Sequence, residues 1–230
     1  MPTQDSPESA QWRDRCIEDW KRILGPFAPR IKSVLEVGAW EGKSALFWHQ
    51  TFGATVECID NWENISLPRE VAAQVEANFD ANIKGTPIFK LKHDSTLVLH
   101  IMAQHGRSYD LIYIDGDHFR DQVMIDSCLA WRLLKPGGIM IWDDWKDYLP
   151  SASDEERPER AIAGFMALHW CDAKVIADTG RQLFVRKEKR DAISENWPKP
   201  IYKPGGEQVR LETDSHVLRE RRPFPRPGNA

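Results

Sequence analysis

The sequence predicts an α/β fold: a central, mostly parallel sheet with helices on both faces and an antiparallel hairpin at its C-terminal side. Three observations carry this. Short apolar runs alternate strictly with longer stretches of helical periodicity, the order that gives a parallel sheet with right-handed crossovers. Several of those runs stop at an acidic residue, Asp60, Asp115 and Asp143 among them. The last two runs flank the turn Thr179-Gly180 and read as a hairpin.

The elements follow in order. A first helix spans Pro7 to Leu24: Ser6 caps it, Pro7 takes the first helical position, and Trp12, Cys16, Trp20, Ile23 and Leu24 share one face before Gly25-Pro26 ends it. Residues 31–37 form the first strand, and a helix follows over 43–51. The second strand, 55–59, ends at Asp60, and a polar loop with Trp62 and Pro68 leads to a helix over 70–83. Residues 87–92 are the third strand and 96–105 the next helix. The fourth strand, 110–114, precedes a helix over 119–134 whose buried face carries Phe119, Val123, Ala130 and Leu134. Residues 138–142 are the fifth strand. An acidic loop after Asp154 gives way to a helix over 160–170, and 174–177 with 182–186 close the sheet. Residues 1–29 are read as an N-terminal helix region, 30–187 as the domain, and 188–230, rich in Pro, Gly and charges of both signs, as an extended or disordered tail.

The net charge of −4 and the 29% of charged residues give no reason to expect a nucleic-acid or membrane surface. The four cysteines form no CxxC pair, so neither a zinc site nor a disulfide framework is suggested, and all four are read as buried thiols. The chain starts without a basic, apolar leader, and no apolar run approaches the ~18 residues of a membrane span. The expectation is a cytoplasmic protein. Most of the ten tryptophans are expected in the core or in a pocket wall. His49, His93, His100, His105, His169 and His216 fall into no metal-ligand spacing.

Chemistry concentrates at the strand ends, where open α/β sheets bind ligands. The first strand runs into Glu36-Val-Gly38-Ala39-Trp-Glu-Gly42-Lys-Ser44, in which two glycines allow a tight turn before a helix N-terminus. This turn departs from the GxGxxG dinucleotide fingerprint, which argues against an NAD-linked oxidoreductase. Asp60, about twenty residues on, is placed to accept hydrogen bonds from ribose hydroxyls, with Asn61 and Trp62 beside it. Asp94-Ser95 ends the third strand where an adenine edge would lie. Farther along stand Asp115-Gly-Asp117-His118 and Asp143-Asp144. Three carboxylates at adjoining strand ends repel one another unless a proton or a cation relieves them, and a hard divalent cation is the simplest relief.

These motifs, with Leu134-Lys-Pro-Gly-Gly before the acidic pair, resemble class I S-adenosylmethionine-dependent methyltransferases. Their closest likeness is to the macrocin O-methyltransferase type and related sugar and antibiotic methyltransferases, with catechol O-methyltransferase a more distant relative. The resemblance covers about residues 30–187. It implies a Rossmann-like sheet and an S-adenosylmethionine site over Glu36, Gly38, Ala39, Gly42, Ser44, Asp60, Asn61, Trp62, Asp94, Ser95 and Asp115. It also implies a magnesium ion on Asp115, Asp143 and Asp144. Asp117 matches the base proposed in the sugar-modifying branch, and His118 is the alternative. Asp126 is read as a satisfied or exposed carboxylate.

The leading expectation is therefore a magnesium-dependent O-methyltransferase for a small molecule such as a sugar or secondary metabolite. Its alternatives are a metal-independent O- or N-methyltransferase and a non-catalytic nucleotide-binding protein. The four acids Asp60, Asp115, Asp143 and Asp144 argue against the last, since a site without chemistry has no need of them. A nucleic-acid methyltransferase is disfavoured because no Asn/Asp-Pro-Pro-Tyr/Phe motif is present. The arginines within 219–226 leave room for a tail interaction. Monomer and homodimer are both compatible with the sequence. Acceptor choice is expected to lie in loops 61–70 and 146–159 and in the tail.

Overall fold

Burial on both faces makes the central strands nearly continuous apolar runs, and their side chains alternate between two cores. In the computed structural model, which describes residues 7–63, 68–146 and 153–189 (backbone alone for 7–14), the sheet has seven strands in the order β3-β2-β1-β4-β5-β7-β6. The strands are β1 Ser33–Val37, β2 Thr55–Asp60, β3 Ile88–Lys92, β4 Tyr109–Ile114, β5 Leu134–Trp142, β6 Ala173–Asp178 and β7 Leu183–Lys187. The first five pair in parallel, and β7 runs antiparallel between β5 and β6. The predicted architecture, closing hairpin included, is the observed one.

Among the described residues six α-helices cover the sheet: α1 Pro7–Leu24, α2 Lys43–Phe52, α3 Arg69–Ile83, α4 Ser95–Gln104, α5 Arg120–Leu133 and α6 Pro158–Leu168. Val34, Leu111, Tyr113, Ile139 and Ile141 point to one core with Trp20, Trp48 and Phe79 of α1–α3. Leu35, Val37, Ile112, Ile114, Met140 and Trp142 point to the other, with Leu99, Val123, Ile162 and Phe165 of α4–α6. The first helix thus covers the sheet: Cys16, Trp20, Ile23 and Leu24 are buried as its periodicity predicts. Trp20 lies 4.3 Å from Trp48 and 5.5 Å from Tyr113 between ring centroids. Ser6 and the side chain of Trp12 lie outside the described residues, as does the expected tail beyond Lys189.

Three expectations need correction. Phe119 is 46% exposed because it precedes α5 in extended conformation, so helical periodicity does not govern its side chain. Strand β5 begins at Leu134, four residues early, because the Lys135-Pro-Gly-Gly segment bulges against β4, where pairing jumps from Tyr109↔Leu134 to Leu111↔Ile139. Cys128 and Cys171 are half-buried rather than buried. Asp126 is the satisfied carboxylate of the two readings, only 1% exposed and accepting from Ser95 and Gln122. Cys16 is an inert core thiol, its pKa pushed up to about 12 by burial and then by Asp143. Trp20, Trp48, Trp62, Trp131 and Trp142 are buried, whereas Trp40 and Trp170 are exposed. Among the described residues no helix is long and apolar enough to cross a membrane.

Candidate active site at the strand ends

Strand order reverses between β1 and β4, and the crevice there is where a doubly wound sheet takes its ligand. A cleft of about 700 Å³ opens at this point. Gly38, Ala39, Ser44, Asp60, Asn61, Trp62, Asp94, Ser95, Asp115, Asp117 and His118 all line it, whereas Glu36, Gly42, Asp143 and Asp144 do not.

The turn after β1 is fixed by contact. The Asp115 amide donates to the Val37 carbonyl at 2.8 Å, tying the two switch-point strands together. At Gly38 the backbone has φ +84°, and an added Cβ would lie 2.0 Å from the Asp115 carbonyl oxygen. Gly42, at φ +77°, caps α2, and a Cβ there would meet the Phe79 ring at 2.8 Å. Only glycine fits at either place.

Asp60 organises this loop. Its Oδ2 accepts the amides of Ala39 and Trp40 at 2.9 and 3.0 Å, and its Oδ1 accepts that of Trp62 at 2.7 Å. The Trp62 indole donates to the Trp40 carbonyl at 2.9 Å and packs on Phe79. On the opposite wall Asp94 caps α4 through the Leu97 amide. Beside it Ser95 donates to the buried Asp126 carboxyl at 2.8 Å, and Gln122 reaches the same oxygen at 3.0 Å. Burial pushes Asp126 up to about 6, against the lowering effect of those two donors. Gln122 and Asp126 both line the cleft. Gln122 was missed in the sequence; its i, i+4 spacing to Asp126 on one helix face is the signal that could have found it.

Glu36 stands beneath the cleft rather than in it. It is fully buried and accepts a hydrogen bond from the Ser44 hydroxyl. Burial pushes its pKa up to about 8, only partly countered by Ser44. The folded protein therefore holds this proton over a pH window in which the unfolded chain, with a carboxyl near 4.5, has released it. Stability falls as pH rises from about 4.5 toward about 8 and levels above, by up to about 1.4 kcal/mol per pH unit within the window. Glu36→Gln, which still accepts from Ser44, should remove that slope and be more stable than the parent at pH 8. Urea titrations at pH 6 and 8 check this; parallel pH dependence in both proteins would refute it.

The acidic cluster lies at the ends of β4 and β5. Asp115 accepts the Tyr113 hydroxyl at 3.0 Å. Burial, then Asp143 and Asp144, raise its pKa well above the usual carboxylate range. Asp144, at φ +53°, places Oδ2 at 2.8 Å from Nε2 of His118. Burial tends to lower the His118 pKa, but its Asp144 contact and the surrounding carboxylates raise it overall. Asp115, His118 and Asp144 offer one ligand atom each, all within 4.8 Å of one another, a spacing suited to a divalent cation. Asp117 is exposed at the rim, one oxygen accepting the Phe119 amide at 2.9 Å.

Asp143 is engaged differently. Its Oδ1 accepts Gln182 Nε2 at 2.6 Å and its Oδ2 accepts Arg181 at 2.8 Å. Burial and Asp144 push its pKa up to about 6 despite Arg181. The same Arg181 nitrogen lies 2.9 Å from Asp144 Oδ1. Trp20 of α1 donates to Gln182 Oε1 at 2.8 Å, so the N-terminal helix reaches the site through one amide. The sequence reading missed Arg181 and Gln182.

Residues 35–145 match the family model of a methyltransferase domain. An uncharacterized protein, R132, of Acanthamoeba polyphaga mimivirus is 26% identical over 134 residues, 56% of this chain and 58% of that protein. MycE, a methyltransferase from the mycinamycin biosynthetic pathway solved with Mg and SAH, superposes with a TM-score of 0.57 at 17% identity, over 79% of this chain and 51% of MycE. MycE solved with mycinamycin VI as well gives 0.55 at 16%, over 76% of this chain and 49% of MycE. CalS11, a calicheamicin methyltransferase, gives 0.54 at 11%, over 80% of this chain and 94% of CalS11. The chain spans about half the length of MycE and less than two thirds of R132. Over residues 35–145 the chain is thus similar to a methyltransferase domain, and it shares the fold of MycE and CalS11.

Proposed function

We propose that the protein transfers a methyl group from S-adenosylmethionine to a hydroxyl of a small molecule, a sugar or secondary metabolite, with Mg2+ bound at the strand ends. The observation that carries this reading is the cluster of Asp115, His118 and Asp144 beside a cleft walled by the Gly38 turn, Asp60 and Asp94-Ser95. MycE, solved with Mg, SAH and mycinamycin VI, supports the same chemistry.

The donor set fits: two carboxylates and an imidazole converge, with room in the cleft for further oxygen ligands. When bound, S-adenosylmethionine supplies the electrophilic methyl and Mg2+ eases loss of the acceptor hydroxyl's proton. The chain's own residues position and deprotonate. Asp60 and Asn61 hold the ribose side of the cleft, Asp94 and Ser95 the adenine side, and Gly38, Ala39 and Ser44 the wall between. Glu36 and Gly42 act from beneath, by fixing the turn. Asp117 at the rim takes the proton; His118, turned toward Asp144, is the other candidate in metal-independent transfer, where it ligates no cation. In-line placement of nucleophile and methyl supplies most of the rate. The domain of 30–187, a cytoplasmic setting and a monomeric or homodimeric assembly belong to the same proposal.

A second reading, metal-independent transfer, is favoured by Arg181, which already brings a positive charge to Asp143 and Asp144. Transfer of a labelled methyl group to a panel of polyhydroxylated small molecules, with Mg2+ or with chelator, decides. The first reading expects turnover to fall at least ~100-fold on chelation and to return with Mg2+. Equal rates in both conditions would give the second.

A further inference from the structure

We propose that Arg181 is an internal counter-ion of the acidic pair, bridging Asp143 and Asp144, and that it competes for Asp144 with a divalent cation held by Asp115, His118 and Asp144. The inference rests on the cation-binding reading above and concerns how that site is kept when the cation is away.

The geometry carries it. A single guanidinium nitrogen lies 2.8 Å from Asp143 Oδ2 and 2.9 Å from Asp144 Oδ1, so one donor serves two neighbouring carboxylates as a bridging ion would. Both carboxylate side chains are nearly inaccessible, at 2% and 8%, whereas that of Arg181 is 27% exposed. The acids are therefore fixed and the arginine has an exit. Two buried carboxylates side by side are costly without a compensating charge, and Arg181 delivers it.

The backbone around them is strapped together. The Trp145 amide, next after the acidic pair, donates to the Arg181 carbonyl at 2.6 Å, and that of Lys146 to Gly180 at 3.0 Å. This brings the β6–β7 turn against the end of β5, so the guanidinium starts within reach of both acids. Gln182 pins the other oxygen of Asp143 and is itself held by Trp20. The two oxygens of Asp144 are divided, Oδ1 to Arg181 and Oδ2 to His118. A cation arriving at Asp144 thus meets Arg181 on one side, and its affinity is set by how readily that side chain swings away.

The test is calorimetric titration of Mg2+ into full-length protein saturated with S-adenosylhomocysteine, for the parent and for Arg181→Met. Losing a like charge from the site should tighten Mg2+ binding at least about tenfold, and Mg2+ should raise the melting temperature of the variant more than that of the parent. Arg181→Lys, which keeps the charge, should stay near the parent. If Arg181→Met fails to fold, Arg181→Gln, with a donor and no charge, takes its place. Mg2+ binding of equal or weaker affinity in the uncharged variant overturns this proposal alone. Absence of Mg2+ binding in both proteins, with S-adenosylhomocysteine still bound, overturns the cation reading as well.

Discussion

Gly38→Ala is expected to destabilise the domain by about 3–5 kcal/mol and to eliminate S-adenosylhomocysteine binding at micromolar protein. The two costs have separate origins. A left-handed φ of +84° is strained for any side chain, at roughly 1–3 kcal/mol. An added Cβ 2.0 Å from the Asp115 carbonyl oxygen meets backbone, which cannot rotate aside as a side chain would, so β1 and β4 must part. That separation breaks the Asp115 amide bond to Val37 and moves the cleft wall and the acidic cluster together. Urea unfolding with a binding titration measures both. A variant within about 1 kcal/mol of the parent would mean that the two strand ends are not held as described.

Asp60→Ala should weaken S-adenosylhomocysteine binding about 100-fold or more, close to 3 kcal/mol, while the fold survives. Three amides, those of Ala39, Trp40 and Trp62, lose a charged acceptor at once, but all three are exposed or only partly buried, so water replaces much of each bond and the loop rather than the fold is loosened. Two of them belong to the loop that walls the cleft, so the binding surface loosens in addition to losing the proposed ribose acceptor. Asp60→Asn keeps one acceptor oxygen and should fall between the two. Titration of each variant, with melting temperature as the check on folding, reads this directly. Unchanged affinity in Asp60→Ala would move the nucleotide site elsewhere.

The fold was legible because parallel strands buried on both faces leave unbroken apolar runs, and the helices between them keep a 3.6-residue stripe. The strand-end acids were legible for a related reason: a carboxylate that stops an apolar run marks the sheet rim. Which face such a residue takes is less evident from one chain. Glu36, one residue inside the end of β1, points with Val34 into the core of α1–α3, and alternation alone does not say which face lies under a cleft. Arg181 was invisible for a different cause. It meets Asp143 from 38 positions away, from a turn whose residues repeat with no period, and a lone arginine in a turn reads as solvated. Trp20 was read correctly as buried, but its bond to Gln182 depends on the hairpin returning beside β5, a tertiary fact. Loop residues 64–67 and 147–152, where acceptor choice was expected, lie outside those described.

The most direct test of the central claim is calorimetric titration of the purified protein with S-adenosylmethionine and S-adenosylhomocysteine, in Mg2+ and in chelator. Micromolar binding of both nucleotides is expected, with a separate heat for Mg2+. Failure of either nucleotide to bind in both conditions would contradict it, leaving an α/β domain with an acidic cleft and no methyl donor.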